Sequence, residues 1–379
     1  MIIKLLINID VNLSVRIVVM SLSIGIVGLP NVGKSTLFNA LTGSNILAAN
    51  YPFATIEPNT GIVPVPDDRL PKLAELYRTD KIVPATVTFV DIAGLVAGAS
   101  QGEGLGNQFL AHIRSTNAIV QVVRAFSDAN VTHVDETHDP RKDIDIINTE
   151  LVLADLQTLK NRLPKLEKEA RADPKLKPLI ATYQRANKIL DDGQPLWNHA
   201  DINQSHISDL QLLTMKPIIY VFNVDEAGLN DDKKQTELHN MVAPAEAIFV
   251  CAKLESELKD LDQNDATELL ESYGQHESGL LQLIHAAYKQ LGLQSYLTAG
   301  EKEVRAWTVP SGATAPQAAG VIHGDFEKGF IAAEVVSYND LVGAGSLAAA
   351  RSGGKVRTEG KTYVMQPDDV VEFRFNVSK

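Results

Sequence analysis

The sequence feature that most constrains the fold is a glycine-rich loop between a short apolar run and a helix-like segment. Residues 28–36 read GLPNVGKST and follow the strand-like run at residues 23–27. This is the pattern Gly-x-x-x-x-Gly-Lys-Ser/Thr in the strand–loop–helix setting that the motif requires. Backbone N–H groups of such a loop surround phosphates, and the N-terminus of the next helix adds partial positive charge. The sequence therefore predicts an α/β P-loop nucleotide-binding domain.

The polar residues of this loop have expected roles in binding and catalysis. Lys34 reaches the β- and γ-phosphate oxygens and neutralises charge in the transition state, so we predict that it is both a binding and a catalytic residue. Ser35 offers its hydroxyl to Mg²⁺. The Asn31 carboxamide could coordinate K⁺ beside the phosphates or could only stabilise the turn, and both roles stay open. The other predicted nucleotide-binding residues of the loop are Val32, Gly33 and Thr36.

Two later segments are typical of loops that fold over a γ-phosphate. The Pro- and Asn-rich stretch at residues 50–67 contains Thr55, whose hydroxyl is a candidate ligand of Mg²⁺. A strand-like run ends at Asp91, which we expect to act on the Mg²⁺ through its water shell. Gly94 follows, and its N–H can sense the γ-phosphate. The sequence therefore predicts two switch loops around the phosphate site.

A third segment, at residues 217–226, is expected to contact the base. The apolar run ends at Asn223 and is followed by Val224, Asp225 and Glu226. GTPases have Asn-Lys-x-Asp here, and the Asp accepts both N–H donors of guanine. Glu226 is one methylene longer, so we expect guanine to lose roughly 1–3 kcal/mol of read-out. The Asn223 amide and the backbone of Val224 remain available to adenine, although Glu226 could also adjust and read GTP normally.

Two accessory regions are predicted beside the nucleotide-binding part. Apolar residues spaced by three and four between residues 143 and 192 predict an antiparallel helical hairpin. After about Leu293 the segments RAWTV, AAGVI, FIAAEVVSY, TYVM and VVEFRFNV are predicted to be strands, with one short helix among them. The predicted division is a P-loop domain at residues 21–140 and 206–292, a helical insertion at 141–205, and a β-rich domain at 293–379.

Composition and charge exclude several classes of protein. The single cysteine, Cys251, leaves no internal disulfide framework and fits a reducing, cytoplasmic compartment. No run reaches the ~18 clean apolar residues of a membrane span, so no membrane partner is expected. The net charge of −12 argues against a protein that coats DNA. Residues 1–20 are apolar but carry three charges, and we predict a non-native or disordered extension, with a real additional strand as the alternative.

Together these motifs resemble the YchF subfamily of Obg-like P-loop ATPases and GTPases. The shared segments run from GLPNVGKSTLFNALT through YPFATIEPNTG, DIAGLVAGASQGEGLGNQFL and FNVDE to HGDFEKGFIAAEV. The resemblance covers nearly the whole chain but not its first twenty residues. It implies a G domain with an inserted helical hairpin and a C-terminal TGS domain, which is a ubiquitin-like β-grasp. It also implies Mg²⁺-dependent hydrolysis of ATP, with GTP accepted less well or comparably, and a ribosome-associated role in translation or stress.

The residue that orients the attacking water is not evident from the P-loop. Leu95 stands where many GTPases have Gln, and a Leu side chain can neither donate nor accept a hydrogen bond. The resemblance points to His133 as the catalytic residue that replaces it. His112 is the second candidate, and a surface histidine without a catalytic role is the alternative for both.

Other functions stay open at this point. Arg351, Lys355, Arg357 and Lys361 crowd one Gly-rich stretch, which could contact phosphates of large-subunit rRNA or could be a solvated hairpin. The chain could also be a nucleotide-gated binding module with conventional GTP preference and negligible intrinsic turnover. A metabolic kinase is disfavoured because no acceptor-binding motif is evident.

The variant His133→Ala tests the predicted water-positioning residue. We expect ATP affinity to stay near that of the unaltered chain, while hydrolysis slows at least ~10-fold because a positioned polar group is lost. Single-turnover hydrolysis and calorimetric titration measure the two effects separately. Equal turnover in the variant and the unaltered chain would remove His133 from the mechanism.

Overall fold

The computed structural model describes residues 22–43, 59–93, 105–126, 139–258 and 261–376. Three predicted site residues, Thr55, Gly94 and His133, lie outside these ranges, and so does the predicted extension at residues 1–20. The roles given to them therefore stay predictions.

The described residues form twelve strands and fourteen α-helices. The strands are β1 (Ser23–Gly28), β2 (Thr60–Pro64), β3 (Ile82–Val83), β4 (Thr86–Asp91), β5 (Ala118–Arg124), β6 (Ile218–Asn223), β7 (Glu246–Val250), β8 (Leu293–Ala299), β9 (Val304–Pro310), β10 (Phe330–Ser337), β11 (Arg357–Glu359) and β12 (Asp369–Phe375). The helices up to β8 are α1 (Lys34–Thr42), α2 (Arg69–Tyr77), α3 (Leu105–Ser115), α4 (Pro140–Ala170), α5 (Lys177–Asp191), α6 (Gln204–Ile207), α7 (Asp232–Val242), α8 (Ala252–Leu258), α9 (Gln263–Ser272) and α10 (Gly279–Gln290). The later helices are α11 (Ala315–Ile322), α12 (Gly324–Lys328), α13 (Tyr338–Ala344) and α14 (Leu347–Ser352).

The P-loop domain contains the first of two six-stranded sheets, in the order β2-β4-β1-β5-β6-β7. Strand β2 pairs antiparallel with β4, and the other pairings in this sheet are parallel. Every residue of β5 and β6 is buried, as expected for central strands that helices cover on both faces. The carboxyl ends of β1, β4, β6 and β7 therefore meet at one edge, which is where open parallel sheets bind ligands.

The predicted antiparallel helical hairpin is confirmed by α4 and α5, which pack side by side along a shared apolar seam. A 3₁₀ turn at Pro174–Leu176 separates the two helices. Ile207 and Leu212 are buried in the same hydrophobic cluster as the seam. The helical insertion therefore extends past the predicted end at residue 205, and the chain rejoins the first sheet only at β6. The helical turns after α5 are too short to produce a hydrophobic period, so the sequence showed no sign of this extension.

One buried carboxylate fastens the insertion to the sheet. Asp155 of α4 is fully buried and accepts hydrogen bonds from the backbone N–H groups of Leu213 and Thr214, at 2.8 and 2.7 Å. The Thr214 hydroxyl donates a third, at 2.7 Å. Burial raises the pKa of Asp155, although these donors oppose that effect. The contact fixes the turn that leads into β6.

The C-terminal domain forms the second sheet, in the order β11-β10-β12-β8-β9-β3. Strand β3 lies between α2 and β4 in the chain, and it pairs in parallel with residues 304–305 of β9. Arg69 of α2 reinforces this junction, because its Nη1 donates to the Pro367 carbonyl oxygen at 2.6 Å. Leu297 and Val304 belong to the same hydrophobic core as the first sheet. The C-terminal domain therefore shares a core with the P-loop domain.

Two segments of this domain that were predicted to be strands are not. AAGVI lies in helix α11, and TYVM forms only one isolated bridge, between Val364 and Thr314. Ala315, Ala318 and Ala319 are fully buried, which is the spacing of a helix face rather than of a strand. The Thr314 backbone N–H donates to Gln317 Oε1 at 2.8 Å and fixes the start of this helix. Four short helices replace the single one that the sequence predicted.

The variant Asp155→Ala tests how the helical insertion is anchored. It leaves two buried backbone N–H groups without an acceptor, so we expect the free energy of unfolding to fall by at least about 2 kcal/mol. Urea denaturation measures the loss. Asp201→Ala is the matched control, because its exposed carboxylate pairs with Arg185 at 2.9 Å and should change stability by less than about 0.5 kcal/mol. A similar small change for both variants would contradict this account.

Candidate functional site

The loop between β1 and α1 has the backbone geometry that a phosphate cradle needs. Asn31 and Gly33 both adopt left-handed conformations, with φ of 65° and 93°. A Cβ atom at Gly33 would collide with Asn223 Nδ2, so glycine is required by contact as well as by conformation. Asn is among the residues that tolerate the left-handed region, so the geometry explains Asn31 as a turn residue. The K⁺ role of Asn31 stays a prediction.

Helix α1 begins directly at the lysine of this loop and presents the predicted hydroxyls. Ser35 and Thr36 are exposed in its first turn, whereas Leu37 is buried in the core. No acidic residue lies in that first turn. The partial positive charge of the helix N-terminus is therefore not offset locally and remains available to an anion.

Two predicted site residues meet at the carboxyl ends of neighbouring strands. Lys34 Nζ donates to Asp91 Oδ1, and the two side chains form an ion pair. Asp91 ends β4, which pairs with β1, so the parallel sheet itself brings its carboxylate to the P-loop. The structure thus brings the predicted cation and the predicted carboxylate together at one point.

The donor set at this point fits Mg²⁺. The Ser35 hydroxyl and the Asp91 carboxylate are oxygen ligands, which this ion prefers. A site of this kind does not need several acidic or imidazole ligands, because phosphate oxygens and water complete it. No group of three or more His, Cys, Asp or Glu side chains able to hold a metal ion occurs within the described ranges.

Asn223 is a buried residue whose side-chain amide links three parts of the site. Its Nδ2 donates to the Val32 carbonyl oxygen at 3.0 Å, and its Oδ1 accepts from the Ala252 backbone N–H at 3.2 Å. The side chain therefore ties the end of β6 to the P-loop and to the start of α8. The sequence predicted a contact between this amide and the base, whereas its observed partners are protein groups. The base contact stays a prediction.

Val224 offers less to a base than its position suggested. The residue is only 2% exposed and belongs to the core, so its side chain cannot cover a base as the lysine of GTPases does. Its backbone N–H donates to the Val250 carbonyl oxygen at 2.9 Å. The carbonyl oxygen is the backbone group of Val224 left to accept a hydrogen bond, which suits the N6 amino group of adenine.

Sequence reasoning missed Lys253, which lies at this edge of the sheet. Glu226 Oε1 accepts a hydrogen bond from Lys253 Nζ at 2.7 Å, and this bond raises the pKa of Lys253. Lys253 lies in the segment VCAKLES, which resembles the fifth GTPase motif. No role for the lysine was evident from the sequence, because the pairing joins residues far apart in the chain.

The second histidine candidate is excluded by its place in the fold. His112 lies in the last turn of α3, which leads to the amino end of β5. The Asn117 side chain accepts from the Ser23 backbone N–H at 3.0 Å and marks that edge as the start of β1. The P-loop lies at the other end of β1, so His112 cannot act on a phosphate there.

The basic residues of the C-terminal domain are largely paired. Arg351 donates to Glu334 at 2.7 Å, and Lys355 lies 3.0 Å from Asp340. Arg357 lies 3.6 Å from Glu359. These carboxylates lower the net positive charge that the predicted rRNA-binding stretch presents, so the contact stays a prediction.

The variant Asn223→Asp tests the link that this amide makes between the P-loop and α8. It keeps an acceptor for the Ala252 N–H but loses the donor to Val32 and places a carboxylate against that carbonyl oxygen. We expect ATP affinity to fall at least ~10-fold, because the carboxylate repels the Val32 carbonyl oxygen and no longer holds the P-loop in place. Calorimetric titration measures it, with the exposed Asn230→Asp as the matched control. Unchanged affinity in Asn223→Asp would show that the cradle does not depend on this amide.

Comparison with known proteins gives matches along most of the chain. The family model YchF-GTPase_C, whose description states unknown function, matches residues 293–376, and a model described as "50S ribosome-binding GTPase" matches residues 23–162. The "Ribosome-binding ATPase YchF" of Bacillus subtilis (strain 168) is 51% identical over 368 residues, covering 94% of this chain and 100% of that protein. The protein of the same name from Escherichia coli O157:H7 is 48% identical over 364 residues, with the same coverage. The solved structure of the Schizosaccharomyces pombe YchF GTPase matches with a TM-score of 0.82 at 39% identity, covering 93% of this chain and 98% of that one.

Proposed function

This chain belongs to the YchF family, and on that premise we propose that it is a ribosome-binding ATPase. In this proposal it hydrolyses the β–γ bond of ATP with Mg²⁺ and accepts GTP less well or comparably. The observation that carries the proposal is the meeting of Lys34 and Asp91 beside the glycine-rich loop. That arrangement places a cation, a carboxylate and a helix N-terminus around one volume, as β- and γ-phosphate binding requires.

Binding of the triphosphate would use the loop backbone and Lys34. The left-handed turns at Asn31 and Gly33 shape a backbone concavity in which N–H groups can surround an anion. The Lys34 ammonium would exchange its bond to Asp91 for bonds to the β- and γ-phosphate oxygens. Because Lys34 is held on a helix, it needs little reorganisation as negative charge develops, and this lowers the barrier to transfer.

The Mg²⁺ ion would be held by residues that were predicted from the sequence. Ser35 would donate its hydroxyl oxygen as a ligand, Asp91 would act through water, and Thr55 is the further predicted ligand. Mg²⁺ bound there neutralises charge on the phosphate oxygens. We also propose K⁺ beside Asn31, on the strength of the family resemblance alone.

The attacking water would be positioned by His133, with Gly94 sensing the γ-phosphate. His133 lies in the segment that joins β5 to α4 in the chain. A segment leaving β5 starts at the carboxyl edge of the sheet, which is the edge that carries the P-loop. This placement supports His133 over His112.

Adenine would be read mainly by backbone groups. The Val224 carbonyl oxygen can accept from the N6 amino group, and the Asn223 amide lies beside it at the end of β6. These groups do not need the carboxylate that guanine requires. The proposed preference for ATP follows from this difference.

The proposed partner is the ribosome, and the proposed contact is rRNA of the large subunit. Support comes from the similar proteins and the matching P-loop family model, which are named for ribosome binding. The helical insertion and the C-terminal domain are the surfaces that the P-loop domain does not need for binding nucleotide. The proposed compartment is the cytoplasm. The described helices include none that is both long and apolar enough to cross a membrane.

One contact favours a nucleotide-gated binding module as a second candidate function. Lys216 Nζ donates to the carbonyl oxygens of Arg114, at 3.1 Å, and of Thr116, at the end of α3. Helix α3 follows the predicted second switch, and Lys216 follows the turn that Asp155 fixes. A movement of α3 would therefore reach the base of the helical insertion. Strong stimulation of turnover by added ribosomes would favour this gating, whereas equal turnover would favour a free-standing ATPase.

The variant Lys34→Ala tests the proposed function. We expect it to lose measurable ATP binding and hydrolysis, because the phosphates lose their cation. Lys175→Ala, at the far end of the helical hairpin, removes one exposed lysine and should leave both unchanged. Calorimetry and phosphate release, each with Mg²⁺, measure the two properties. ATP binding by Lys34→Ala at the affinity of the unaltered chain would contradict the assignment.

A further inference from the structure

A pair of opposite charges joins the loops that follow β6 and β7. The Lys253 ammonium donates to the Glu226 carboxylate at 2.7 Å. The Lys253 side chain is 70% exposed and that of Glu226 is 39% exposed, so a ligand can reach both. Neither side chain is needed to fill the core. The pair is therefore positioned to act on what binds between the loops.

The two loops bound the space that a bound base would enter. Asn223 ties the end of β6 to the P-loop at Val32 and to the start of α8 at Ala252. The phosphate cradle is thus fixed at the side of these loops, and ligands of such sheets extend over the carboxyl ends of the strands. A nucleoside whose phosphates lie on the P-loop would place its base between residues 224–228 and 251–254.

Glu226 is the carboxylate of the first loop that stands where GTPases have the guanine-reading Asp. Asp225 Oδ1 already accepts from the Gly228 backbone N–H at 2.9 Å and closes the following turn. Guanine presents N1–H and N2–H₂, two donors that need a free carboxylate. Adenine presents an acceptor at N1 and a donor at N6 and does not need one.

We propose that Lys253 determines the base preference, because it holds the Glu226 carboxylate away from the donors of guanine. The ammonium occupies an oxygen of Glu226 and places positive charge beside the edge where guanine is also positive. The ammonium therefore weakens the binding of guanine but not that of adenine, and specificity is a difference between two affinities. The proposal rests on the nucleotide-binding function proposed above and adds a specificity residue to it.

The variant Lys253→Met tests this role, because it keeps the apolar stem and removes the charge. We expect GTP affinity to rise relative to ATP affinity by at least ~5-fold, the lower end of one base-reading contact. ATP affinity itself should stay within about threefold. Lys289→Met, an exposed lysine in the last turn of α10, is the charge-matched control and should leave the ratio unchanged. Calorimetric titration with ATP and GTP at fixed Mg²⁺ gives the ratio.

A second variant identifies the group that Lys253 restrains. In Lys253→Met with Glu226→Gln, the amide has only one oxygen and adds N–H donors, so it cannot satisfy both donors of guanine. The gain in GTP affinity should therefore disappear. In the background with Lys253 present, Glu226→Gln should barely move the ratio, since the carboxylate does not contact the base there.

The outcomes separate this proposal from the function on which it rests. If the unaltered chain binds neither nucleotide, the proposed function fails. If it binds ATP and Lys253→Met leaves the ATP-to-GTP ratio unchanged, Lys253 does not set the preference. If the gain in GTP affinity survives Glu226→Gln, the restrained carboxylate is not the cause, and the proposal is overturned.

Discussion

The site depends on one buried carboxamide, that of Asn223. With its two ends it joins the P-loop carbonyl of Val32 to the backbone N–H of Ala252, so three loops from distant parts of the chain keep fixed relative positions. Gly33 must lack a side chain because this amide lies against it. A buried amide that satisfies two backbone groups resists displacement, since removing it would leave both groups without partners. The phosphate cradle and the base crevice are therefore one rigid unit.

The accessory parts are attached to this unit in different ways. The C-terminal domain completes its sheet with β3 from the P-loop domain and is clamped by Arg69, so the two share backbone hydrogen bonds and a core. The helical insertion is held at its base by Asp155 and has its own hydrophobic cluster. Such a cluster can move as a body about its base with little loss of packing. Lys216 links that base to α3, the helix after the predicted second switch.

The features that could be predicted from the sequence are those whose signal lies within a short segment of the chain. The P-loop and the helical hairpin rest on a short motif and on helical period, and the described residues agree with both predictions. AAGVI was assigned the wrong structure because small apolar residues fit either element, and the cap at Thr314 decided the outcome. The contacts of Asn223 and the pair between Glu226 and Lys253 join residues distant in sequence. No local pattern reports such contacts, and the roles of Thr55, Gly94 and His133 rest on sequence alone.

The most direct measurement of the central claim is a crystal structure with a non-hydrolysable ATP analogue and Mg²⁺. The account predicts that the triphosphate lies on residues 28–36, with Lys34 Nζ on the phosphates instead of on Asp91. It also predicts that Asn223 keeps its bonds to Val32 and Ala252 while the adenine lies between the loops after β6 and β7. A nucleotide bound elsewhere, or a Lys34 still paired with Asp91 beside bound phosphates, would contradict it.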